Sequence, residues 1–379
     1  MMWPLRLLVA GGVTGGHLFP GIATADAVRE RVPDARVLFV STGRPLEAAA
    51  LDRAGYPLRT VPFGGVKGLG AGGALRTGGR LPLALSRALR IVREFQPHIV
   101  LGVGGYASVP GVLAGRMAGA LTLLHEQNVH PGVATRLLAK SAHRIYTSFP
   151  EAPGLSAGRV RVVGNPVRAE VRAAAGAPLP DGPFTVLVVG GSQGARGINR
   201  AVAAALPDLV VAGIRLVHQT GEADYPMAAA AFEAAGADGE VRPFFGDMAR
   251  RYRACHLLVS RSGASTVAEI TVVGRGALLV PFPYAADDHQ TANARALAAA
   301  GAAVLIPEGE LDGLTLARTL IDFAGRPDRV VAMARAARGR GNPDAAPRMA
   351  ADALALLHRN PNLASGRRFR RGPRTAGNR

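Results

Sequence analysis

The sequence predicts an α/β fold made of two Rossmann-like, doubly wound domains. Short β-like runs alternate with alanine-rich helical stretches along the chain, as in parallel sheets with helical crossovers. Two of the runs end in glycine-rich turns, "LLVAGGVTGGHLFPG" at 7–21 and "VLVVGGSQGARG" at 186–197. The length of 379 residues is typical of two domains.

The expected strands are short runs rich in Val, Leu and Ile. In the first half of the chain they lie at 5–10, 36–41, 98–103, 120–125 and 144–147. In the second half they lie at 184–190, 214–219, 240–243, 256–260, 277–281 and 303–306. Residues 64–80, "GGVKGLGAGGALRTGGR", are rich in glycine and predict a flexible loop before an amphipathic helix at 82–95.

The domain boundary is expected where a strand ends in Gly-Asn-Pro, within "VVGNPVRAEV" at 162–171. We therefore expect a first domain over 1–164 and a second over 165–343. A last helix is expected over 344–360. The tail over 361–379 is basic and is expected to be disordered.

Charge is concentrated in the first half of the chain. Residues 1–164 contain 19 Lys and Arg against 8 Asp and Glu, whereas residues 165–362 contain 20 against 19, and the tail adds six Arg. A basic surface serves solubility or an anionic partner, which is membrane lipid, nucleic acid or a phosphorylated substrate. The single cysteine, Cys255, excludes a disulfide framework and a cysteine-built zinc site. No apolar run is long enough to predict a transmembrane helix.

Four glycine turns fit the pattern of phosphate-binding sites, at 11–16, 102–105, 190–194 and 262–266. Ligands of open parallel sheets lie beyond the carboxyl ends of the strands, where helix N-termini present N–H groups. Close packing of a strand against a helix is the alternative reason for such glycines. Neither the turn at 11–16 nor the turn at 190–194 has the full G-x-G-x-x-G pattern, which argues against a nicotinamide enzyme. No Gly-Lys-Ser/Thr follows, which argues against a P-loop.

The segment 260–303 contains the densest set of candidate polar groups. Glu269 follows Thr266 by three residues and suits the two hydroxyls of a ribose, or else complements the helix dipole. Gln290 and Asn293 are amides at positions i and i+3, which suits sugar hydroxyls. In "DDHQTANA", both aspartates are candidate N-caps, with a metal site as the weaker alternative.

Seven motifs then carry a resemblance to a known family. They are "GGVTGGHLFPGIA", "GVGGYASVPG", "LHEQNVHPG", "GNPVR", "GGSQGARGIN", "RSGASTVAEI" and "DDHQTANA", in this order. The chain resembles the MurG family of bacterial cell-wall glycosyltransferases, which add N-acetylglucosamine to lipid I to make lipid II. The resemblance implies the GT-B architecture, with the two domains facing a cleft and the C-terminal helix crossing back to the first. It also implies inversion at the anomeric carbon without a metal or another cofactor.

The resemblance assigns UDP-N-acetylglucosamine as the donor, bound mainly by the second domain. Arg168 and Ser192 match positions near the diphosphate, Phe245 matches the backbone that contacts uracil, and Glu269 matches the acid that binds ribose. The remaining implied donor residues are Thr14, Gly15, Gly16, Asn128, Ala264, Ser265, Thr266, Val267 and Gln290.

The first domain is implied to bind the acceptor, lipid I. Its pyrophosphate is assigned to the turn that contains Gly104, Gly105, Tyr106 and Ser108. His17 is the first candidate for the base that deprotonates the acceptor hydroxyl, because imidazole titrates near neutral pH. Glu126 and His125 are the alternative bases, and a structural role is the alternative for His17.

A lipid-linked acceptor implies a peripheral enzyme at the cytoplasmic face of the cell membrane. In "RLPLALSRALRIVREF" at 80–95, Leu81, Leu85 and Leu89 recur at helical spacing beside four arginines. This pattern indicates either a helix for an anionic membrane surface or a helix whose apolar face lies in the core.

Three other functions stay open at this stage. A nucleotide-sugar 2-epimerase shares the architecture and the donor. An oxidoreductase would need the dinucleotide fingerprint that is defective here. A nucleic-acid-binding protein would use the arginine-rich tail, but nucleic acid is an unlikely partner because the body lacks such a motif.

Overall fold

The computed structural model describes residues 4–12, 14–63, 70–191 and 194–360. It divides the chain into two compact units. The first unit contains residues up to Arg168 and those from Asp344 onward, and the second contains Ala169–Pro343.

The first unit is a seven-stranded parallel sheet with helices on both faces. Its elements up to the second unit are β1 Arg6–Ala10, α1 Gly15–Arg31, β2 Arg36–Ser41, α2 Pro45–Arg53, β3 Leu58–Thr60, α3 Gly70–Phe95, β4 Ile99–Gly102, α4 Ser108–Met117, β5 Leu121–Glu126, α5 Val133–Ala139, β6 Arg144–Thr147 and β7 Val160–Val162. The strand order is β3-β2-β1-β4-β5-β6-β7.

Two apolar layers cover the faces of this sheet. Leu7 and Val9 of β1 lie in the layer that includes α1, and Leu8 and Ala10 lie in the layer that includes α3, α4 and α5. Because both faces are buried, the central strands are continuous apolar runs rather than alternating ones. The carboxyl ends of β1, β4 and β5 therefore share one edge of the sheet.

The second unit is a six-stranded parallel sheet of order β10-β9-β8-β11-β12-β13. Its elements are α6 Ala169–Arg172, β8 Thr185–Val189, α7 Arg196–Val211, β9 Arg215–Gln219, α8 Tyr225–Ala235, β10 Gly239–Arg242, α9 Met248–Arg253, β11 Leu257–Ser260, α10 Ala264–Val273, β12 Gly276–Leu279, α11 His289–Ala299, β13 Ala303–Leu305, α12 Gly313–Ala324 and α13 Pro327–Arg340. Ligand sites of this topology lie at the carboxyl ends of the central strands, here β8 and β11.

The last helix, α14 Ala345–Arg359, packs in the first unit against α1. Its apolar face joins the core of that unit through Met349, Ala350 and Leu357. Its Asp352 carboxylate accepts a hydrogen bond from Tyr146 Oη at 2.9 Å and pairs with Arg144 and Arg161. These contacts hold α14 on the first unit although the chain reaches it through the second.

The α/β class and the two parallel sheets are confirmed, and all eleven expected strands are present within one or two residues. Two strands were not expected, β3 and β7, which have three residues each and are half-buried or exposed. They are the two edge strands of the first sheet, where an apolar run is not needed. The sequence signal for such strands is therefore weak.

The loop expected over 64–80 is corrected in part. Residues 64–69 lie outside the described residues, but 70–80 form the first three turns of α3. Continuity with the packed half of the helix overrides the low helix propensity of glycine there. Leu81, Leu85 and Leu89 of α3 are half-buried and pack against the core, so they are not a free apolar face.

The boundary of the first unit lies four residues beyond the expected one. Val163 N and Gly164 N donate to Thr147 O, which continues the pairing of the first sheet past β7. Val167 is buried in the first unit. None of the helices in the described ranges is long and apolar enough to cross a bilayer.

The free energy of unfolding should decrease as the pH is lowered from about 6.5 to about 4, because of His218 in β9. This side chain is fully buried, its Nε2 lies 2.9 Å from Asn199 Oδ1, and burial lowers its pKa to about 4. The unfolded chain takes up the proton near pH 6.5 and the folded chain does not, so up to about 2 kcal/mol is lost by pH 5. Denaturant unfolding at several pH values measures the loss. His218→Asn should show a shallower pH dependence, and an unchanged one would contradict the assignment.

Candidate functional site

In the first unit, the turns after β1 and β4 are in direct backbone contact. A Cβ on Gly11 would lie 2.4 Å from the Gly104 carbonyl oxygen, and Gly11 has a φ of +109°. Both facts require glycine at position 11. Close packing therefore explains this glycine, and the turn brings the start of α1 against the turn after β4.

His17 lies in the first turn of α1, and its ring packs on the second of these turns. A Cβ on Gly104 would lie 3.0 Å from His17 Cε1 and Nδ1. His17 Nδ1 is 3.0 Å from Gln127 Oε1, just after β5. The structure thus brings His17 together with the turn that contains Gly104 and Gly105.

A buried chain of hydrogen bonds continues from Gln127. Gln127 Nε2 donates to Val103 O at 2.8 Å and lies 3.0 Å from His125 Nδ1, while His125 Nε2 lies 3.3 Å from Gly164 O. His125 is 1% exposed, and burial lowers its pKa to about 4. Since both ring nitrogens are engaged and protonation is disfavoured, His125 is not suited to act as the base.

Glu126, the other alternative base, organises the loop after β5. Its carboxylate accepts hydrogen bonds from Asn128 N at 3.1 Å, Asn128 Nδ2 at 3.3 Å and Gly132 N at 3.0 Å. It is 3% exposed. Three donors on two oxygens give this carboxylate a positioning role, so His17 is the better candidate base. Asn128 itself is half-buried.

The turn expected to bind a pyrophosphate is formed by positive-φ glycines. Gly104 and Gly105 have φ values of +94° and +72°. Ser108 Oγ donates to Gly105 O at 2.7 Å and is almost fully buried, so this hydroxyl holds the turn rather than facing a ligand. Tyr106 is half-buried against the core.

The start of α1 and Arg168 also belong to the first unit. Thr14 is the exposed N-cap of α1 and makes no side-chain cap bond, and Gly15 and Gly16 begin the helix. The guanidinium carbon of Arg168 lies 5.4 Å from the centroid of the Phe19 ring. Arg168 was expected in the second domain, but its contacts place it in the first unit.

In the second unit, α10 follows β11 after a three-residue turn, at the carboxyl edge of the sheet. The first N–H groups of a helix point out of its N-terminal end, and here they belong to Ala264, Ser265 and Thr266. Val267 N already donates to Gly263 O, and its side chain is 3% exposed. The amide of Val267 is thus used within the helix, whereas those of Ala264, Ser265 and Thr266 belong to its first turn. Ser192, expected in the turn before α7, lies outside the described residues.

Glu269 is fixed by a tyrosine from α9. Tyr252 Oη donates to Glu269 Oε2 at 2.8 Å, and Glu269 is 8% exposed. The other end of Tyr252 is fixed as well, because Arg275 Nε donates to its carbonyl oxygen at 2.9 Å. Arg275 is fully buried and donates to four further carbonyls, those of Ala177, Pro178, Arg253 and Gly274. Burial lowers the pKa of Arg275.

The amides of α11 have different roles. Asn293 is fully buried and its Nδ2 donates to Ser262 O at 3.2 Å, so it links α11 to the turn before α10 and is not placed for a sugar hydroxyl. Gln290 is half-buried, and its Oε1 accepts from Phe282 N at 3.0 Å. Its Nε2 group supplies the donors of this side chain.

Phe245 lies in the loop after β10. Its N–H donates to Gln219 Oε1 at 2.9 Å, and the guanidinium carbon of Arg251 lies 4.2 Å from its ring centroid. A contact from this backbone to a base would therefore use the Phe245 carbonyl oxygen.

The two expected N-caps of α11 have left-handed backbones. Asp287 and Asp288 have φ values of 52° and 48°, and Asp288 Oδ1 accepts from Thr291 Oγ1 at 2.6 Å instead of capping a backbone N–H. Within the described ranges no group of three or more His, Cys, Asp or Glu is arranged to hold a metal ion.

Four supporting residues were not found by sequence reasoning: Gln127, Gln219, Tyr252 and Arg275. Gln127 follows His125 and Glu126 directly in "LHEQN", and that position was the available signal. Tyr252 lies on α9, Glu269 lies on α10, and Arg275 follows the end of α10, so no helical spacing rule relates the three.

Comparisons with known proteins match both units. The protein-family model described as the glycosyltransferase family 28 N-terminal domain matches residues 7–147. The model described as the family 28 C-terminal domain matches residues 185–349. A relative from Syntrophus aciditrophicus is 42% identical over 93% of this chain and 99% of its own. It is named UDP-N-acetylglucosamine--N-acetylmuramyl-(pentapeptide) pyrophosphoryl-undecaprenol N-acetylglucosamine transferase.

Solved structures agree on the fold. MurG of Acinetobacter baumannii has a TM-score of 0.76 and 28% identity, with 93% of this chain and 100% of that chain covered. A protein from Listeria monocytogenes described as a UDP-N-acetylglucosamine 2-epimerase has a TM-score of 0.66, 14% identity and coverage of 94% and 98%. The second likeness shows the shared fold alone.

Gly11→Ala should lower the free energy of unfolding by about 3–5 kcal/mol, because the new Cβ meets the Gly104 carbonyl oxygen at 2.4 Å. Gly154→Ala is the matched control, since Gly154 has a φ of +79° and nothing within 4 Å of its Cβ position. The control should cost about 1–2 kcal/mol from backbone strain alone. Denaturant unfolding of both variants measures the difference, and equal losses would contradict the packing of the two turns.

Proposed function

Because this chain belongs to glycosyltransferase family 28, we propose that it transfers N-acetylglucosamine from UDP-N-acetylglucosamine to lipid I. The acceptor atom is the 4-hydroxyl of the N-acetylmuramyl unit, and the product is lipid II for peptidoglycan synthesis. The observation that carries the proposal is the 42% identity to a transferase of that name over nearly all of both chains.

The proposed donor site is in the second unit. Glu269, held by Tyr252, accepts hydrogen bonds from the two ribose hydroxyls, and the backbone amides at the start of α10 donate to the diphosphate. The Phe245 carbonyl accepts from uracil N3–H, and Gln290 Nε2 donates to a sugar hydroxyl. Asn128 and the start of α1, Thr14 to Gly16, are assigned to the donor from the first unit, and Ser192 to its diphosphate.

The proposed reaction is a single displacement. The acceptor oxygen forms a bond to the anomeric carbon of the donor, the bond from that carbon to the UDP oxygen breaks, and His17 takes the hydroxyl proton. Negative charge develops on the leaving UDP, so Arg168 and the helix N-terminus of α10 stabilise the transition state. The backbone at Gly104 and Gly105 is assigned to the acceptor's pyrophosphate, with Tyr106 and Ser108 supporting that turn.

We also propose that the enzyme works as a peripheral protein on the cytoplasmic face of the membrane. The leucine stripe of α3 packs on the core, so the membrane contact falls to its exposed face. Leu83 is 63% exposed there, and Arg87 and Arg90 are exposed beside it. Anionic lipid headgroups attract such arginines.

Release of UDP from UDP-N-acetylglucosamine should depend on a short-chain lipid I analogue. Glu269→Ala should raise the donor KM about 100-fold or more, because about two hydrogen bonds to a charged group are lost. Tyr252→Phe should raise the donor KM about 10-fold with little change in kcat. Steady-state UDP release with and without acceptor measures both effects.

Tyr56→Phe is the control for Tyr252→Phe, because it removes another tyrosine–carboxylate bond, to Asp26, and should leave the donor KM unchanged. Release without acceptor would instead favour a 2-epimerase or a hydrolase. No release under either condition from a folded protein would contradict the proposal.

Arg87→Gln combined with Arg90→Gln should weaken binding to anionic vesicles about 10- to 30-fold at low salt, since each arginine contributes about 1 kcal/mol. Vesicle co-sedimentation at increasing salt measures the effect. Arg318→Gln with Arg335→Gln removes two charges from exposed helices of the second unit and serves as the control. Equal loss in both double variants would point to net charge, and salt-insensitive binding would contradict the proposed surface.

A further inference from the structure

We propose that Gln127 is a positioning residue that fixes the proton of His17 on Nδ1, so that Nε2 is the basic nitrogen. This deepens the proposed function, because Nε2 is then the atom that takes the proton of the acceptor hydroxyl.

The assignment starts from two backbone carbonyls, which can only accept hydrogen bonds. Gly164 O lies 3.3 Å from His125 Nε2, so that nitrogen carries a proton. Neutral imidazole has one donor and one acceptor nitrogen, and His125 Nδ1 is therefore an acceptor. It lies 3.0 Å from Gln127 Nε2, which also donates to Val103 O at 2.8 Å.

The orientation of the Gln127 amide follows from these partners. Its nitrogen faces the two acceptors, so its oxygen faces His17 Nδ1 at 3.0 Å. An amide oxygen only accepts, hence Nδ1 of His17 is the donor in this contact. In the neutral ring the lone pair then resides on Nε2.

The same contact also fixes the orientation of the ring. Rotating the imidazole by 180° would exchange Nδ1 with Cδ2 and replace the bond to Gln127 with a carbon contact. The ring packs on the Gly104 backbone, where a Cβ would lie 3.0 Å from two of its atoms, so a side chain there would displace it. Gln127 is 1% exposed, and its geometry is set by the strand ends around it.

The chain of hydrogen bonds stays intact at neutral pH. The pKa of His125 is lowered to about 4, mainly by burial; the hydrogen bond to Gly164 O acts in the opposite direction, and the nearby His17 contributes a smaller lowering. His125 is therefore neutral at neutral pH and keeps Nδ1 as an acceptor for Gln127.

Nitrogen-15 NMR of the histidine-labelled protein tests the proposal, with the His17 signals identified by their loss in His17→Gln. Wild-type His17 should show a protonated Nδ1 and an unprotonated Nε2 at pH 8. In Gln127→Leu the ring should shift towards the Nε2–H form, which an unconstrained imidazole prefers. Gln127→Glu loses the donor to Val103 O but keeps an acceptor oxygen for His17, and should keep Nδ1 protonated.

Kinetics gives a second readout. Gln127→Leu should lower kcat about 10- to 100-fold and leave the donor KM within about two-fold, because no donor contact is removed. A wild-type ring protonated on Nε2 alone would overturn the proposal without any variant, even if transfer activity is present. A ring protonated on Nδ1 in a protein without transfer activity would support the positioning role and contradict the proposed function instead.

Discussion

The contact between the turns after β1 and β4 is the constraint on which the first-unit site depends. Parallel pairing sets both strands in register and ends them at one edge. The Gly11 backbone then approaches the Gly104 carbonyl more closely than any side chain would permit. This approach brings His17 onto the second turn and beside Gln127. A substitution in either turn therefore acts on the position of the imidazole as well as on stability.

In the second unit, the buried cation Arg275 helps to position the candidate residue Glu269. Arg275 donates to five backbone carbonyls, which offset part of the cost of burying its charge. These carbonyls belong to the ends of α9 and α10 and to the segment after α6. One of these carbonyls is that of Tyr252, whose hydroxyl in turn donates a hydrogen bond to Glu269. The proposed ribose-binding acid is thus held by packing and not only by its place on α10.

Much of the fold follows from the sequence because buried parallel strands are continuous apolar runs. β2 and β6 have the expected bounds, and the other expected strands differ by one or two residues. The edge strands β3 and β7 bury little and leave little pattern. The first half of α3 contains glycines that argue against a helix, and only its continuity with the packed half makes it one.

The candidate site was predictable in residue type more than in role. The motifs identified His17, Glu126 and Glu269 as chemically capable groups, but the roles depend on contacts between distant segments. Glu126 accepts a hydrogen bond from its own loop, Ser108 donates to its own turn, and Asn293 donates to the turn before α10. The partners that hold His17 and Glu269 come from other strands and helices, so no local pattern reports them.

The most direct test of the account is the configuration of the bond in the product. The account predicts one displacement at the anomeric carbon, so an α-linked donor must give a β-linked product. Proton NMR of the disaccharide released from the lipid product measures the coupling at the new anomeric proton. A β linkage to the 4-hydroxyl is the predicted result, and an α linkage would contradict a single displacement with His17 as the base.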